Sequence, residues 1–168
     1  TFEDMAAKTH FIPLGTMGAN NADWDNDGDQ DLVMGAGGPF IQQAEPFLFY
    51  ENNGDGTFTL RTPFYDLGIW GKGHGAAFGD YDHDGNLDLA INNGGATPGD
   101  TWPSMVLHNK GNSNHWFEVA FKGGQDTNLF GVGAKVWLTA GGKTQVQELW
   151  SGSRFGATNT WRVHFGLG

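Results

Sequence analysis

Nine carboxylates gathered in two short loops are the side chains of this chain best placed to do chemistry. The loops read Asp23-Trp24-Asp25-Asn26-Asp27-Gly28-Asp29-Gln30-Asp31 and Asp80-Tyr81-Asp82-His83-Asp84-Gly85-Asn86-Leu87-Asp88, both D-x-D-x-D-G-x-x-D. Bare carboxylates held ~4 Å apart repel by about 4 kcal/mol per pair at an effective dielectric near 20. A divalent cation converts that penalty into attraction, and Ca2+, which takes 6–8 oxygen ligands in flexible geometry, suits the spacing. The expected side-chain ligands are Asp23, Asp25, Asp27 and Asp31 in the first loop and Asp80, Asp82, Asp84 and Asp88 in the second. Asp29 and Asn86 sit where a backbone carbonyl is expected, and Gly28 and Gly85 permit the sharp turn. A metal-free turn rich in Asp, Asn and Gly is the alternative. Two copies of the whole pattern favour two calcium sites.

The elements that must position these loops are short strands. An EF-hand would need Glu at the twelfth loop position, where this chain has Met34 and Ile91. Each loop instead runs into a brief apolar segment, Leu32-Val33-Met34 or Leu89-Ala90-Ile91, bounded by glycines (Gly35, Gly37 and Gly38; Gly94 and Gly95). That pattern predicts buried strands rather than helices. A shift of 57 positions lays the first loop on the second, and carries Gly18 to Gly75, Gly37-Gly38 to Gly94-Gly95, Pro46 to Pro103, Asn52 to Asn109 and Gly54 to Gly111. Such a period marks units that bury their apolar faces on their neighbours. Within a unit, Phe47-Leu48-Phe49-Tyr50 reads as a strand and Asn52 to Gly56 as a turn into Thr57-Phe58-Thr59-Leu60.

These residues carry a resemblance. Ala77-Phe78-Gly79-Asp80-Tyr81-Asp82-His83-Asp84-Gly85, together with Glu51-Asn52-Asn53-Gly54-Asp55-Gly56-Thr57-Phe58, resembles the FG-GAP/VCBS repeat family. The resemblance implies blades of a calcium-binding β-propeller, as in integrin α-subunit heads and many bacterial surface proteins. The first copy departs from the pattern, with Asn21-Ala22 in place of Phe78-Gly79. The tail resembles the ASPIC/UnbV domain, which commonly follows such repeats in extracellular proteins. The resemblance rests on Asn114-His115-Trp116-Phe117-Glu118-Val119, Gly131 to Val136, Ala140-Gly141-Gly142 and Val163 to Gly168. Independently, Val119 and Phe121, Val136 and Leu138, and Val146 and Leu149 dot segments separated by glycine-rich turns, which predicts short antiparallel strands. The expected fold is all-β: an N-terminal segment 1–14, repeats at 15–60 and 61–115, and a small, truncated antiparallel domain at 116–168.

Composition agrees with a turn-dense β protein, since 28 of 168 residues are Gly and seven are Trp, with the rings expected to fill the core. The formal net charge is −10, which two Ca2+ would cut to about −6. Nine Lys plus Arg in all provide no basic face, so nucleic acid and anionic lipid are excluded as electrostatic partners. No apolar run approaches the ~18 residues of a membrane span. With no Cys, bound calcium takes the place of disulfides as the staple. Low-affinity calcium modules fill at the ~10⁻³ M found outside cells, which predicts an extracellular or cell-surface location. A start at Thr1 without a signal peptide fits processing, or a piece of a longer protein.

No catalytic constellation is legible, and no enzyme is expected. None of the six His stands in H-E-x-x-H or another paired metal-ligand spacing. His74 is expected to hydrogen-bond to its neighbouring turn, and His83 to be solvated. Ser104, Ser113, Ser151 and Ser153 lie outside a G-x-S-x-G elbow, and Gly152-Ser153-Arg154-Phe155-Gly156 lacks a phosphate-loop pattern. Trp24, and by analogy Tyr81, is expected to pack beneath the ion. Because two blades cannot close a propeller of 4–8, open sheet edges are expected, to be covered by copies of the chain or by the rest of a longer polypeptide. The sequence therefore predicts a non-enzymatic, calcium-stabilised extracellular structural or adhesion module, in one form the subunit of a self-assembling fibre. The alternatives are a carbohydrate-binding module using exposed Trp70 and Trp102 with calcium, or a non-catalytic part of a larger propeller enzyme.

Overall fold

A computed structural model describes residues 1–10, 16–36, 44–62, 70–94, 98–99, 101–152 and 155–168. Gly37, Gly38, Gly95, Ser153 and Arg154, invoked above, lie outside them. One turn of helix, α1 (Ala6–Thr9), precedes an otherwise all-β chain.

Residues of the first repeat form a four-stranded antiparallel sheet, ordered β1 (Thr16–Ala22), β2 (Asp31–Ala36), β4 (Leu48–Asn52) and β5 (Phe58–Leu60). A two-residue strand, β3 (Glu45–Pro46), pairs with β6 (Trp70–Gly71). The second repeat gives a three-stranded sheet, β7 (Gly73–Gly79), β8 (Asp88–Asn93) and β9 (Met105–Leu107). Shifting β1 and β2 by 57 residues reproduces the bounds of β7 and β8. Even the irregularity in register recurs, between Thr16 and Gly18 and again between Gly73 and Gly75. The repetition ends at β5. The residues 57 positions on begin β10 (Trp116–Ala120), which leaves the repeat and pairs with β13 (Arg162–Gly166). Between them, β11 (Lys135–Ala140) and β12 (Lys143–Glu148) form a hairpin. Its two-residue turn, Gly141-Gly142, has φ of 56° and 83°, the positive pair a type I′ turn requires.

The two repeats share one core, in which Trp24, Val33, Phe47 and Phe49 of the first meet Phe78, Leu87, Leu89 and Ile91 of the second. Glycine allows the approach: a Cβ on Gly35 would lie 2.1 Å from the Gly73 carbonyl oxygen, and one on Gly73 1.9 Å from the Phe47 ring. Leu149, Val163 and Phe165 centre a second core, against which Val119, Phe121, Val136 and Leu138 pack.

One sheet edge is covered within the chain. Residues 159–160 run along β7, where the Phe78 amide donates to Asn159 Oδ1 (3.0 Å) and the Thr160 amide to the Phe78 carbonyl (3.0 Å). Asn159 Nδ2 also donates to Asn20 Oδ1 (3.2 Å), so the tail clasps both repeats. Among the described residues β1 and β5 end the first sheet and β9 the far side of the second, and no sheet closes into a barrel.

The expectation that tryptophan fills the core is corrected. Only Trp24 is buried; Trp70, Trp102, Trp116, Trp137, Trp150 and Trp161 are all exposed. Aliphatic side chains and Phe fill most of the interior, with Trp24 the one buried indole among the described residues.

Candidate metal centres

Each loop joins the first two strands of its repeat, and the loops match nearly atom for atom. At the fourth position Asn26 and His83 take left-handed backbone (φ 60° and 62°), and at the sixth Gly28 and Gly85 both have φ of 89°. Asn and Gly are residues that accept this region at low cost. That fold turns amides inward. The Asp27 and Gly28 amides donate to Asp23 Oδ1 (3.1 Å) and Oδ2 (2.9 Å), as those of Asp84 and Gly85 do to Asp80 Oδ1 (3.1 Å) and Oδ2 (2.9 Å). The amides of Trp24 (3.3 Å) and Asn52 (2.8 Å) hold Asp31; those of Tyr81 (3.1 Å) and Asn109 (2.8 Å) hold Asp88. Each loop thus presents its first three Asp together: one oxygen from each of Asp23, Asp25 and Asp27, or of Asp80, Asp82 and Asp84, lies within 4.8 Å of the others.

The remaining predicted ligands are placed differently. Asp29 turns its carboxylate outward to Lys143 (2.7 Å), leaving its carbonyl as the available group. The Asn86 side chain accepts from Asn26 Nδ2 (3.3 Å). Asp31 stands close enough to Asp23 and Asp25 to feel both charges.

Burial separates the two loops. Asp31 and Asp88 are both buried and Asp27 and Asp84 both exposed, but Asp23 and Asn26 are buried where Asp80 is half-buried and His83 exposed. The cause is the tail, whose β13 and last residues bond to the first loop. The Gly166 amide donates to Asp23 Oδ2 (3.0 Å), the Gly168 amide to the Asn26 carbonyl (2.9 Å), and His164 Nε2 stands 2.7 Å from Asn26 Oδ1. Asn26 Nδ2 in turn donates to the Gly85 carbonyl (3.2 Å), so this fully buried side chain joins both loops to the tail. Burial pushes Asp23 up to about 7, helped by the charges of Asp27 and Asp25, and Asp31 up to about 8. It also raises Asp25. In the open second loop, the Asn86 amide holds Asp84 below its ordinary value. In the first loop the gathered, hydrogen-bonded and partly dehydrated carboxylates form an all-oxygen donor set suited to a hard divalent cation, whereas in the second His108 Nδ1 also stands 3.1 Å from Asp88 Oδ1.

The loop aromatics diverge too. Trp24 packs inward between Phe49 (5.9 Å between centroids) and Phe78 (6.2 Å), but Tyr81 lies outside, against the His108 ring (5.9 Å). Tyr81, 60% exposed, therefore does not pack beneath a second site. His83 is exposed as expected. His74 does not make the expected bond through Nε2, which is buried without a partner among the described residues, its ring 6.5 Å from Phe155. Trp70 (59% exposed) and Trp102 (38% exposed) both reach solvent.

Asn52 and Asn109, which cap the ninth-position carboxylates, could have been found from their 57-residue spacing. Nothing local marks Asn26, His164 or Gly166 as their partners.

Fold and loops together define an all-β repeat protein carrying two carboxylate-lined turns. Residues 23–91 match the FG-GAP-like repeat family and residues 124–168 the ASPIC and UnbV family. The chain thus joins a β-propeller-like FG-GAP repeat region to an ASPIC/UnbV domain. No curated protein matches it.

Proposed function

We propose that this chain is a non-enzymatic, extracellular structural or adhesion module that binds two Ca2+ and works within a larger assembly. The observation that carries the reading is the twofold repetition of a converging Asp triad, with Asp23 and Asp31 buried beside one another. Asp23, Asp25, Asp27 and Asp31, with the Asp29 carbonyl, would hold one ion; Asp80, Asp82, Asp84 and Asp88, with the Asn86 carbonyl, the other. Calcium there neutralises carboxylates that otherwise repel, and so fixes the angle at which β2 and β8 enter their sheets. At a free concentration of ~100 Kd each site contributes about 2.7 kcal/mol of stability.

Support for assembly comes from the end strands β5 and β9 and from aromatic residues on the surface, which in a single chain would meet water. Copies of the chain stacked into a surface fibre, or the remainder of a longer polypeptide, would cover them. The test is particle size by sedimentation and melting temperature, each in millimolar Ca2+ and in EGTA. Large ordered particles that dissociate in EGTA support a calcium-dependent fibre; a calcium-stabilised monomer returns the chain to a part of a longer protein. Asp25→Ala and Asp82→Ala should each lower the melting temperature and its calcium dependence. Melting curves identical to wild type would refute the calcium reading. The exposure of Trp70 and Trp102 favours carbohydrate binding as the second reading, tested by a shift of tryptophan fluorescence with sugar.

A further inference from the structure

The two loops differ at one position that bears on metal choice. Glu51 and His108 are 57 residues apart, Glu51 within β4 and His108 directly after β9, the corresponding strand of the second repeat. Glu51 is engaged in a two-point pair with Arg61 (2.8 and 2.6 Å). His108 instead turns Nδ1 toward the metal loop, 3.1 Å from Asp88 Oδ1 and 3.5 Å from Asp82 Oδ2. The three ligand atoms lie within 4.8 Å of one another.

We propose that His108, Asp82 and Asp88 form a nitrogen-containing metal position in the second repeat, suited to a borderline divalent ion of the Zn2+ class, which the first repeat lacks. The separations carry the argument. Zinc bonds of 2.0–2.2 Å in a tetrahedron put neighbouring ligands about 3.3–3.6 Å apart, and the two observed distances bracket the short end of that range. Imidazole also suits Zn2+, Co2+ and Ni2+ better than it suits Ca2+, which prefers oxygen throughout. Position favours access: His108 is 45% exposed and Asp82 lies in the open loop, so solvent can deliver the ion and supply a water as fourth ligand. The neutral ring would bind through Nδ1 and leave Nε2–H to solvent. Tyr81, edge-on at 5.9 Å, limits how far the ring can turn. Asp82 Oδ1, meanwhile, accepts from the Asp84 amide (3.3 Å), so its two oxygens face the calcium loop and His108 separately.

The test uses the full chain stripped with chelator, with Co2+ as a coloured substitute for Zn2+. Expected is an intense visible band of four-coordinate cobalt, saturating at one equivalent and bleached by Zn2+. His108→Gln should abolish the band and lower Zn2+ affinity by more than the roughly 10–100-fold that loss of an outer-shell partner costs. Asp25→Asn, in the first loop, should leave it intact. A far-ultraviolet circular dichroism spectrum of metal-free His108→Gln that matches wild type shows that the variant is folded. A weak six-coordinate cobalt spectrum in the wild type, or a band that survives in His108→Gln, would overturn the proposal and leave His108 as a hydrogen-bond partner of Asp88. The readout needs no calcium, so its failure is separable from failure of the calcium reading.

Discussion

Replacing Asn26 by Ala should destabilise the protein far more than the same replacement at His83, although both occupy the fourth position of identical loops. Their backbones share a left-handed conformation, φ 60° and 62°, so the cost of placing Ala there cancels in the comparison. What differs is the side chain. Asn26 donates to the Gly85 carbonyl and to Asn86 Oδ1 and meets His164 Nε2 at 2.7 Å, all away from water, whereas His83 is exposed. Leaving a buried polar partner unsatisfied costs about 1–3 kcal/mol. With the Gly85 carbonyl and His164 both stranded and Asn86 partly so, Asn26→Ala should cost about 3 kcal/mol more than His83→Ala. For a chain of 168 residues each kcal/mol moves the melting temperature by about 2–4 °C. The expected gap is therefore about 6–12 °C, read by thermal melts of both variants in calcium and repeated in EGTA. Variants that melt within about 2 °C of each other would refute the idea that Asn26 joins the loops to the tail.

Three further outcomes are expected. The raised values of Asp23 and Asp31 mean that the folded, metal-free loop holds protons that the unfolded chain has released. Stability without metal should therefore fall as pH rises from about 4 through about 8, and first-site calcium affinity, titrated in an Asp82→Asn background, should rise between pH 6 and 8; an affinity flat over that range would refute the assignment. Gly35→Ala drives a Cβ into the Gly73 carbonyl, and should cost more than the 1–3 kcal/mol usual for overpacking. Gly56→Ala, at φ 84° with open space around it, should cost about 1 kcal/mol by the same melting assay. Trp137→Ser, on the outer face of the β11–β12 hairpin opposite Val146, should change stability by no more than about 1 kcal/mol. If that face holds copies together, sedimentation should find smaller particles.

Much of the site is visible in the sequence because its determinants are local. An Asp at every second position, with Gly at the sixth, dictates the turn, and the turn aims the carboxylates. The 57-residue repeat gives strand bounds for the same reason. Burial was harder to read. Trp24 and Tyr81 hold the same place in their loops, yet one packs between Phe49 and Phe78 while the other faces solvent. The contrast follows from the two repeats turning their faces toward a single shared core. The exposure of six Trp likewise depends on which segments pack together, a property of pairs of segments rather than of any one. The tail's hold on the first loop was equally out of reach, since Gly166 marks nothing by itself.

That hold has a kinetic side. Asp23 and Gly166 lie 143 residues apart. Closing a loop of that length costs about 4 kcal/mol of chain entropy beyond the constant term, and contacts so distant in sequence slow folding. During synthesis the first loop therefore waits for more than a hundred further residues before its cover arrives. The second loop, completed by Asn109 only 21 residues after Asp88, closes early. Filling of the second site should thus come before filling of the first, which waits for the tail.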